Sequence, residues 1–342
     1  MPNRLTLTRE RVETVTLILG RKDVEQLLTI EIAMEAVEEA FLEHGRGRTQ
    51  MPERIALWFD DLHGVIGVMP GHLKGLQAAG VKIICHHEQN RVKYNLPASA
   101  GLVVYHNPLT GMPLAIMDCA HITCMRTGAA TGVSAKYLAR PDARTLGIVG
   151  AGAIALPQVA AIAQVRDLSM VKVHDLDPAA ATRLVVAVRN MGLQADAVGS
   201  PRDACRGADI LVTCTPARSV LVRGDWVQEG THIAAVGADM PHKRELDSGV
   251  YARADKWVTD LVKQALSTGE IADAVADGTI SENSLHATLG EIVAGQEKGR
   301  ENDAEITVFK STGMAIQDVA AAKRVYELAK EKDVGIEVCI TA

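Results

Sequence analysis

The chain has 342 residues, 47% of them hydrophobic and only 3% aromatic, with a formal net charge of -6. This length suggests two domains with a sizeable core in each, and a core so poor in rings consists of Ala, Val, Leu and Ile, which favours helices on a parallel sheet over an aromatic-rich β-sandwich. The negative charge and the absence of basic runs give no reason to expect nucleic acid binding, and no apolar run reaches the ~18 residues of a membrane span.

The N-terminus carries Arg4, Arg9, Glu10 and Arg11 and no apolar signal core. Thr29 can cap a helix with an apolar stripe of Ile30, Ala33, Met34, Val37, Ala40 and Phe41. Strand-like pieces follow at Arg54–Phe59, Val65–Met69, Ala79–Ile84, Gly101–Tyr105 and Pro113–Met117. Asn107-Pro108-Leu109-Thr110-Gly111 reads as a turn that makes the last two a hairpin. Several strands without intervening helices imply an antiparallel or mixed sheet. A helix rich in Ala, Gly and Thr is expected from about His121 to Ala139, suited to close approach by a neighbouring backbone.

From about 145 to 260 the pattern changes to β-α-β alternation, with strands at Thr145–Val149, Met170–His174, Ala195–Val198, Asp209–Cys214, His232–Val236 and Lys256–Thr259. This argues a parallel, doubly wound sheet. The first strand runs into Gly150-Ala151-Gly152-Ala153-Ile154-Ala155, a G-x-G-x-x-A turn. Such a turn lets the backbone approach a pyrophosphate, and the helix behind it offers free N–H groups and a positive dipole end. Pro157 is tolerated only in the first helical turn, which puts the helix start near Ala153. The second strand ends in Asp175, placed to accept hydrogen bonds from a ribose 2′-hydroxyl. An apolar stripe at Ile316, Val319, Ala320, Ala322, Val325, Leu328 and Ala329 predicts a helix over Ala315–Lys332 that returns to the first region. The six cysteines (Cys85, Cys119, Cys124, Cys205, Cys214 and Cys339) form no C-x-x-C pair. Free thiols in a reducing cytoplasm are expected, with no metal site.

Six motifs occur in order: Thr110–Asp118, Met125–Ala130 around Arg126-Thr127, the glycine turn, Val236–Asp239 with Glu245-Leu246-Asp247, His286–Glu291, and Ser311–Asp318. Together they resemble the ornithine cyclodeaminase/mu-crystallin family over nearly the whole chain, and within it the archaeal-type alanine dehydrogenase branch. The resemblance implies a Rossmann-type doubly wound parallel sheet inserted into an α+β substrate and dimerisation domain. Residues 1–125 and 315–342 would form the outer domain, and 126–314 the NAD-binding domain. It also implies a homodimer.

The resemblance assigns Arg126 to the substrate carboxylate, a task suited to the guanidinium fork. Lys82 would stand beside the substrate carbonyl or imine, Arg54 would be a further basic substrate-side residue, and Asp239 would exchange protons with the substrate nitrogen or bound water. Gly150, Gly152, Ala153 and Ile154 would hold the pyrophosphate, Asp175 the ribose, and Thr215 with Pro216 the nicotinamide ribose; Ser311 and Gly313 would lie near the nicotinamide ring. Read without the resemblance, Lys82 is also compatible with a strand-edge lysine, Arg126 with a structural ion pair and Asp239 with a helix cap.

The implied reaction is NAD(H)-dependent interconversion of a small 2-oxo or 2-imino acid plus ammonia with an L-amino acid, as in alanine dehydrogenase. Asp175 would repel a 2′-phosphate and so select NAD(H) over NADP(H). After Lys82 the chain departs from the family pattern at Ile83–Arg91, which reads as a loop whose His86, His87 and Arg91 either are solvated or accept a second substrate carboxylate, as in an iminosuccinate reductase. Two further alternatives are an ornithine cyclodeaminase, which needs an acidic group for the distal ammonium, and a non-enzymatic nucleotide or small-ligand binder.

Overall fold

The computed structural model describes residues 15–87 and 89–340. The charged segment Arg4–Arg11 lies outside the described residues. Two eight-stranded sheets organise the described residues. The first runs in the order Ile336–Cys339, Val15–Leu19, Pro113–Asp118, Ser99–His106, Ala78–His87, Gly64–Leu73 and Thr49–Gln50, with Ile55–Phe59 also paired to Gly64–Leu73. It is mixed: Val15–Leu19 is parallel to Pro113–Asp118, and the other pairs are antiparallel. The expected hairpin joins its two strands through a turn in which the Asn107 carboxamide oxygen accepts the Leu109 N–H at 2.9 Å and Gly111 takes φ +74°.

The second sheet is parallel throughout, in the order Ala195–Ala197, Met170–His174, Thr145–Val149, Ile210–Thr213, His232–Ala235, Thr307–Lys310, Lys256–Thr259, Ala287–Thr288. Strand order reverses between Thr145–Val149 and Ile210–Thr213, the topological switch point at which doubly wound sheets open a crevice. Thr307–Lys310 is a fully buried interior strand that the sequence pattern did not reveal. Nor did that pattern reveal Arg218–Val222, which is largely exposed, and Arg244–Leu246, which pair in parallel as a separate two-stranded sheet. Val15–Leu19 and Ile336–Cys339, also unexpected, close one side of the first sheet.

Helices join the two sheets. In Ile30–Gly45 the Thr29 hydroxyl accepts the Ile32 N–H at 3.5 Å, and the buried stripe includes Ala33, Met34, Val37, Ala40 and Phe41. Cys119–Leu138 is capped by the Asp118 carboxylate, which takes the N–H groups of Ala120 and His121 at 3.0 and 3.2 Å. Its glycines allow the expected close approach, since Gly128 and Gly132 face Pro157 and Ala161 of the helix behind the glycine turn. That helix, Ala155–Ala163, starts two residues later than expected, with Pro157 in its first turn. Ala315–Lys332 packs back against the first sheet, where Tyr326 meets Tyr105 with ring centroids 5.5 Å apart.

Residues 83–91 are not one loop. The strand Ala78–His87 continues through His86 and His87, and a short helix, Asn90–Tyr94, carries Arg91. Their partners decide this: His86 bonds the Ser99 hydroxyl across the sheet at 2.8 Å, and the His87 ring stacks on Phe59. All six cysteines are free thiols. No described helix is long and apolar enough to cross a membrane, and no group of three or more metal-ligating side chains occurs among the described residues.

Candidate active site

The loops that leave the C-terminal ends of the parallel strands border a cleft of about 210 Å³. Ile154 comes from the glycine turn, Thr215 and Pro216 from the loop after Ile210–Thr213, Gly237 and Asp239 from the loop after His232–Ala235, and Ser311 to Gly313 from the segment after Thr307–Lys310. Helix Cys119–Leu138 supplies Thr123, Arg126 and Thr127. Of the expected site residues, Arg126, Ile154, Thr215, Pro216, Asp239, Ser311 and Gly313 therefore share one cavity wall.

The glycine turn adjoins it. Gly150 has φ +106°, and a Cβ there would stand 2.9 Å from the Cys214 carbonyl oxygen and from Thr215 Cγ2, so the turn can sit against the next loop only without a side chain. Around Gly152, by contrast, a Cβ would meet nothing within 4 Å, which leaves the outer side of the turn open. Asp175 closes the end of the neighbouring strand. Its carboxylate accepts the Ala151 N–H at 2.6 Å and the Asp177 N–H at 2.8 Å.

Lys82 does not line the cleft. The alternation of Ala78–His87 turns Ala78, Gly80 and Lys82 to the buried face, and Lys82 is 1% exposed. Its ammonium meets Asp318 Oδ1 at 2.9 Å. The same oxygen accepts from Arg126 Nε at 3.1 Å, and Gln317 Oε1 accepts from Arg126 Nη1 at 3.0 Å. Gln317 and Asp318 lie in the first turn of Ala315–Lys332, where N–H groups without intrahelical partners favour an anion. Burial pushes the Lys82 ammonium below its usual 10.5, Asp318 opposes that, and the nearby Arg126 charge adds to it.

Arg54 reaches in from the first sheet and donates through Nη2 to the carbonyls of Thr312 and Gly313, at 2.9 and 3.3 Å. That segment is fastened from behind by Asp260, which directly follows strand Lys256–Thr259 and is fully buried. Its carboxylate accepts the N–H groups of Thr312 and Gly313 and the hydroxyls of Ser311 and Thr312, at 2.7–3.1 Å. Asp239 pairs with Lys243, four residues on across a turn, at 2.6 Å. Burial alone would raise the Asp239 carboxyl; the Lys243 ammonium, with help from Arg54, outweighs it and holds the group below its usual 3.8.

Asp318, Gln317, Asp260 and Lys243 were not assigned from sequence. Asp260 carried the clearest signal, an acid at the C-terminal end of a parallel strand. His86, His87 and Arg91 do not line the cleft.

A doubly wound sheet with its crevice at the strand-order reversal is the architecture of Rossmann-type dinucleotide-dependent enzymes. The chain belongs to the ornithine cyclodeaminase/mu-crystallin family, whose profile matches residues 14–333. It is 45% identical over 323 residues to the alanine dehydrogenase of Archaeoglobus fulgidus, covering 94% of this chain and 98% of that one. A solved archaeal alanine dehydrogenase dimer with bound NAD superposes with a TM-score of 0.91 at 44% identity, covering 95% of this chain and 99% of the other. The Δ1-pyrroline-2-carboxylate reductase of Thermococcus litoralis, solved with NADH and L-proline, gives a TM-score of 0.90 at 40% identity, covering 94% and 100%.

Proposed function

We propose that the chain is an NAD(H)-dependent oxidoreductase that interconverts a small 2-oxo or 2-imino acid plus ammonia with the L-amino acid, as alanine dehydrogenase does. The observation that carries this reading is a set of buried polar groups left without protein partners beside the cleft: Arg54 Nε, Gln317 Nε2 and Asp318 Oδ2. Buried polar atoms are as a rule paired; Thr131, Arg140 and Gln158 hold the other unpaired ones among the described residues and do not line the cleft, whereas these three lie around the Lys82–Asp318–Arg126 cluster. A compact, charged, hydrogen-bonding substrate supplies what they lack.

The glycine turn fits a dinucleotide. Its outer side is open at Gly152, it leads into the N-terminus of Ala155–Ala163, and the Asp175 carboxylate flanks it. Gly150, Gly152, Ala153 and Ile154 would hold the pyrophosphate, Asp175 the adenosine ribose, Thr215 and Pro216 the nicotinamide ribose, and Ser311 and Gly313 the ring. Bound there, the nicotinamide supplies or takes up the hydride.

The protein's own groups then divide the remaining work. Arg126 has Nε and Nη1 turned to Asp318 and Gln317, so its Nη2 donors serve the substrate carboxylate and hold Cα in place. Lys82, held as ammonium against Asp318 behind the cleft wall, would polarise the carbonyl or imine from there, and Arg54 adds positive charge on the same side. Asp239 exchanges protons with the substrate nitrogen or a water. The two-domain division at 1–125 with 315–342 and 126–314 belongs to the same proposal. So does a homodimer, which the exposed Ile55, Leu57 and Trp58 on the first sheet support.

NADH oxidation is expected with pyruvate plus ammonia; Δ1-pyrroline-2-carboxylate and oxaloacetate plus ammonia complete the panel. No turnover with any of them would overturn the oxidoreductase reading and favour a ligand-binding protein. A cyclodeaminase is disfavoured because Asp239, the only carboxylate among the described residues lining the cleft, is already paired with Lys243. Proline formed from ornithine without net NADH would reverse that judgement.

Coenzyme choice has its own test. Asp175→Ser removes the charge that opposes a 2′-phosphate and is expected to lower the NADH-to-NADPH ratio of kcat/KM at least about tenfold. An unchanged ratio would show that Asp175 does not set the preference.

A further inference from the structure

Two loops of the cleft are tied together by a carboxylate that does not face it. Glu245 belongs to the short strand Arg244–Leu246, outside the main sheet, and is 0% exposed. Its Oε1 accepts the Thr215 N–H at 2.6 Å and the Thr215 hydroxyl at 2.9 Å. Its Oε2 accepts the Thr213 hydroxyl at 2.9 Å and the Gly237 N–H at 2.8 Å. Thr213 and Thr215 end one parallel strand and begin its loop; Gly237 begins the loop of the neighbouring strand, two residues before Asp239. The junction leaves no slack in the backbone either: a Cβ on Gly237 would stand 2.2 Å from the Thr215 carbonyl oxygen and 2.5 Å from Glu245 Oε1.

A carboxylate is kept in such a place only where donors offset its desolvation. Burial and the neighbouring Glu270 push the Glu245 carboxyl upward, while Lys310 and the bonds from Thr215 pull it down. Lys310 is itself fully buried and pairs with Glu270 at 2.7 Å. Two acids thus share one lysine outside the cleft, the upward push on Glu245 prevails, and its four donors carry most of the compensation.

We propose that Glu245 is a positioning residue: by accepting from both loops at once it fixes the separation between Thr215, on the coenzyme side, and Asp239, on the substrate side. This rests on the NAD(H) reading of the cleft. All four partners are donors, and two of them are backbone N–H groups that cannot turn away. Glu245→Gln keeps the shape, yet in either amide orientation its NH₂ faces the Thr215 or the Gly237 N–H, so one loop must come loose.

Hydrogen exchange, NADH fluorescence titration and steady-state kinetics on the full chain test this together. In Glu245→Gln, amides in 213–217 and 236–240 are expected to exchange at least about tenfold faster while those of 145–149 keep their protection. The NADH dissociation constant is expected to rise at least about fivefold and kcat to fall at least about tenfold, with the KM of the oxo acid, set by Arg126, changing less than about threefold. Thr213→Val, which removes one donor and no cleft group, is expected to show the same pattern more weakly, and it stands in if the Gln variant does not fold. Faster exchange across the whole sheet, or unchanged NADH affinity and kcat, would overturn the proposal. Wild-type protein that binds no NADH would instead defeat the coenzyme reading on which it rests.

Discussion

Alanine at position 318 is expected to lower folding stability by about 3–5 kcal/mol and kcat/KM by about 10³-fold or more. Asp318 is fully buried, and one of its oxygens serves both Lys82 and Arg126. The two cations have no other carboxylate bonded to them among the described residues. Removing the anion leaves two like charges in a low-dielectric site, and the protein must either expose them or deprotonate Lys82. Either response displaces the groups proposed to grip the substrate carboxylate and polarise its carbonyl. Asp318→Asn separates geometry from charge: it retains an acceptor for one of the cations, so it should unfold less readily while losing most of the activity. Urea unfolding and steady-state kinetics on the folded fraction measure both effects. An Asn variant with kcat/KM within threefold of wild type would mean that the shared charge has no part in the reaction.

What was legible beforehand and what was not follow from the range of the interactions involved. The glycine turn could be read because its parts are close along the chain: Thr145–Val149 and Met170–His174 pair in register, and the Gly150 N–H bonds the His174 carbonyl at 2.8 Å. The helix Ala315–Lys332 was readable from its apolar stripe for the same reason. Thr307–Lys310 was not, since a four-residue strand ending in lysine becomes an interior strand only when Glu270 meets that lysine. Asp318 stood inside a recognised motif, yet its role depends on Lys82 and Arg126, 236 and 192 residues away in sequence. The segment around His86 and His87 misled in the opposite sense. Polar residues suggested a loop, while pairing with Ser99 and stacking on Phe59 extend the strand.

Replacing Lys82 is expected to change the pH dependence as well as the rate. The ammonium is buried, and its affinity for the proton is lowered chiefly by that burial, against the pull of Asp318. In the proposed reaction it acts while charged, so kcat/KM for reduction should fall as pH rises through a pKa below the ordinary 10.5. Lys82→Arg keeps a charge that does not titrate in this range. It should cost about 10²-fold or more in kcat, because the guanidinium cannot reproduce the position of Nζ, and it should flatten the alkaline limb. Stability carries the matching signature with its own sign. Between the lowered folded value and 10.5 the unfolded chain binds more protons at this site than the folded one. The cost of burying the ammonium is therefore fully present below that window and relieved as pH rises through it. Wild type should gain stability relative to Lys82→Met across that alkaline interval, which urea midpoints measured at several pH values would reveal. An alkaline limb that survives unchanged in Lys82→Arg would assign the titration to another group and remove Lys82 from the proton chemistry.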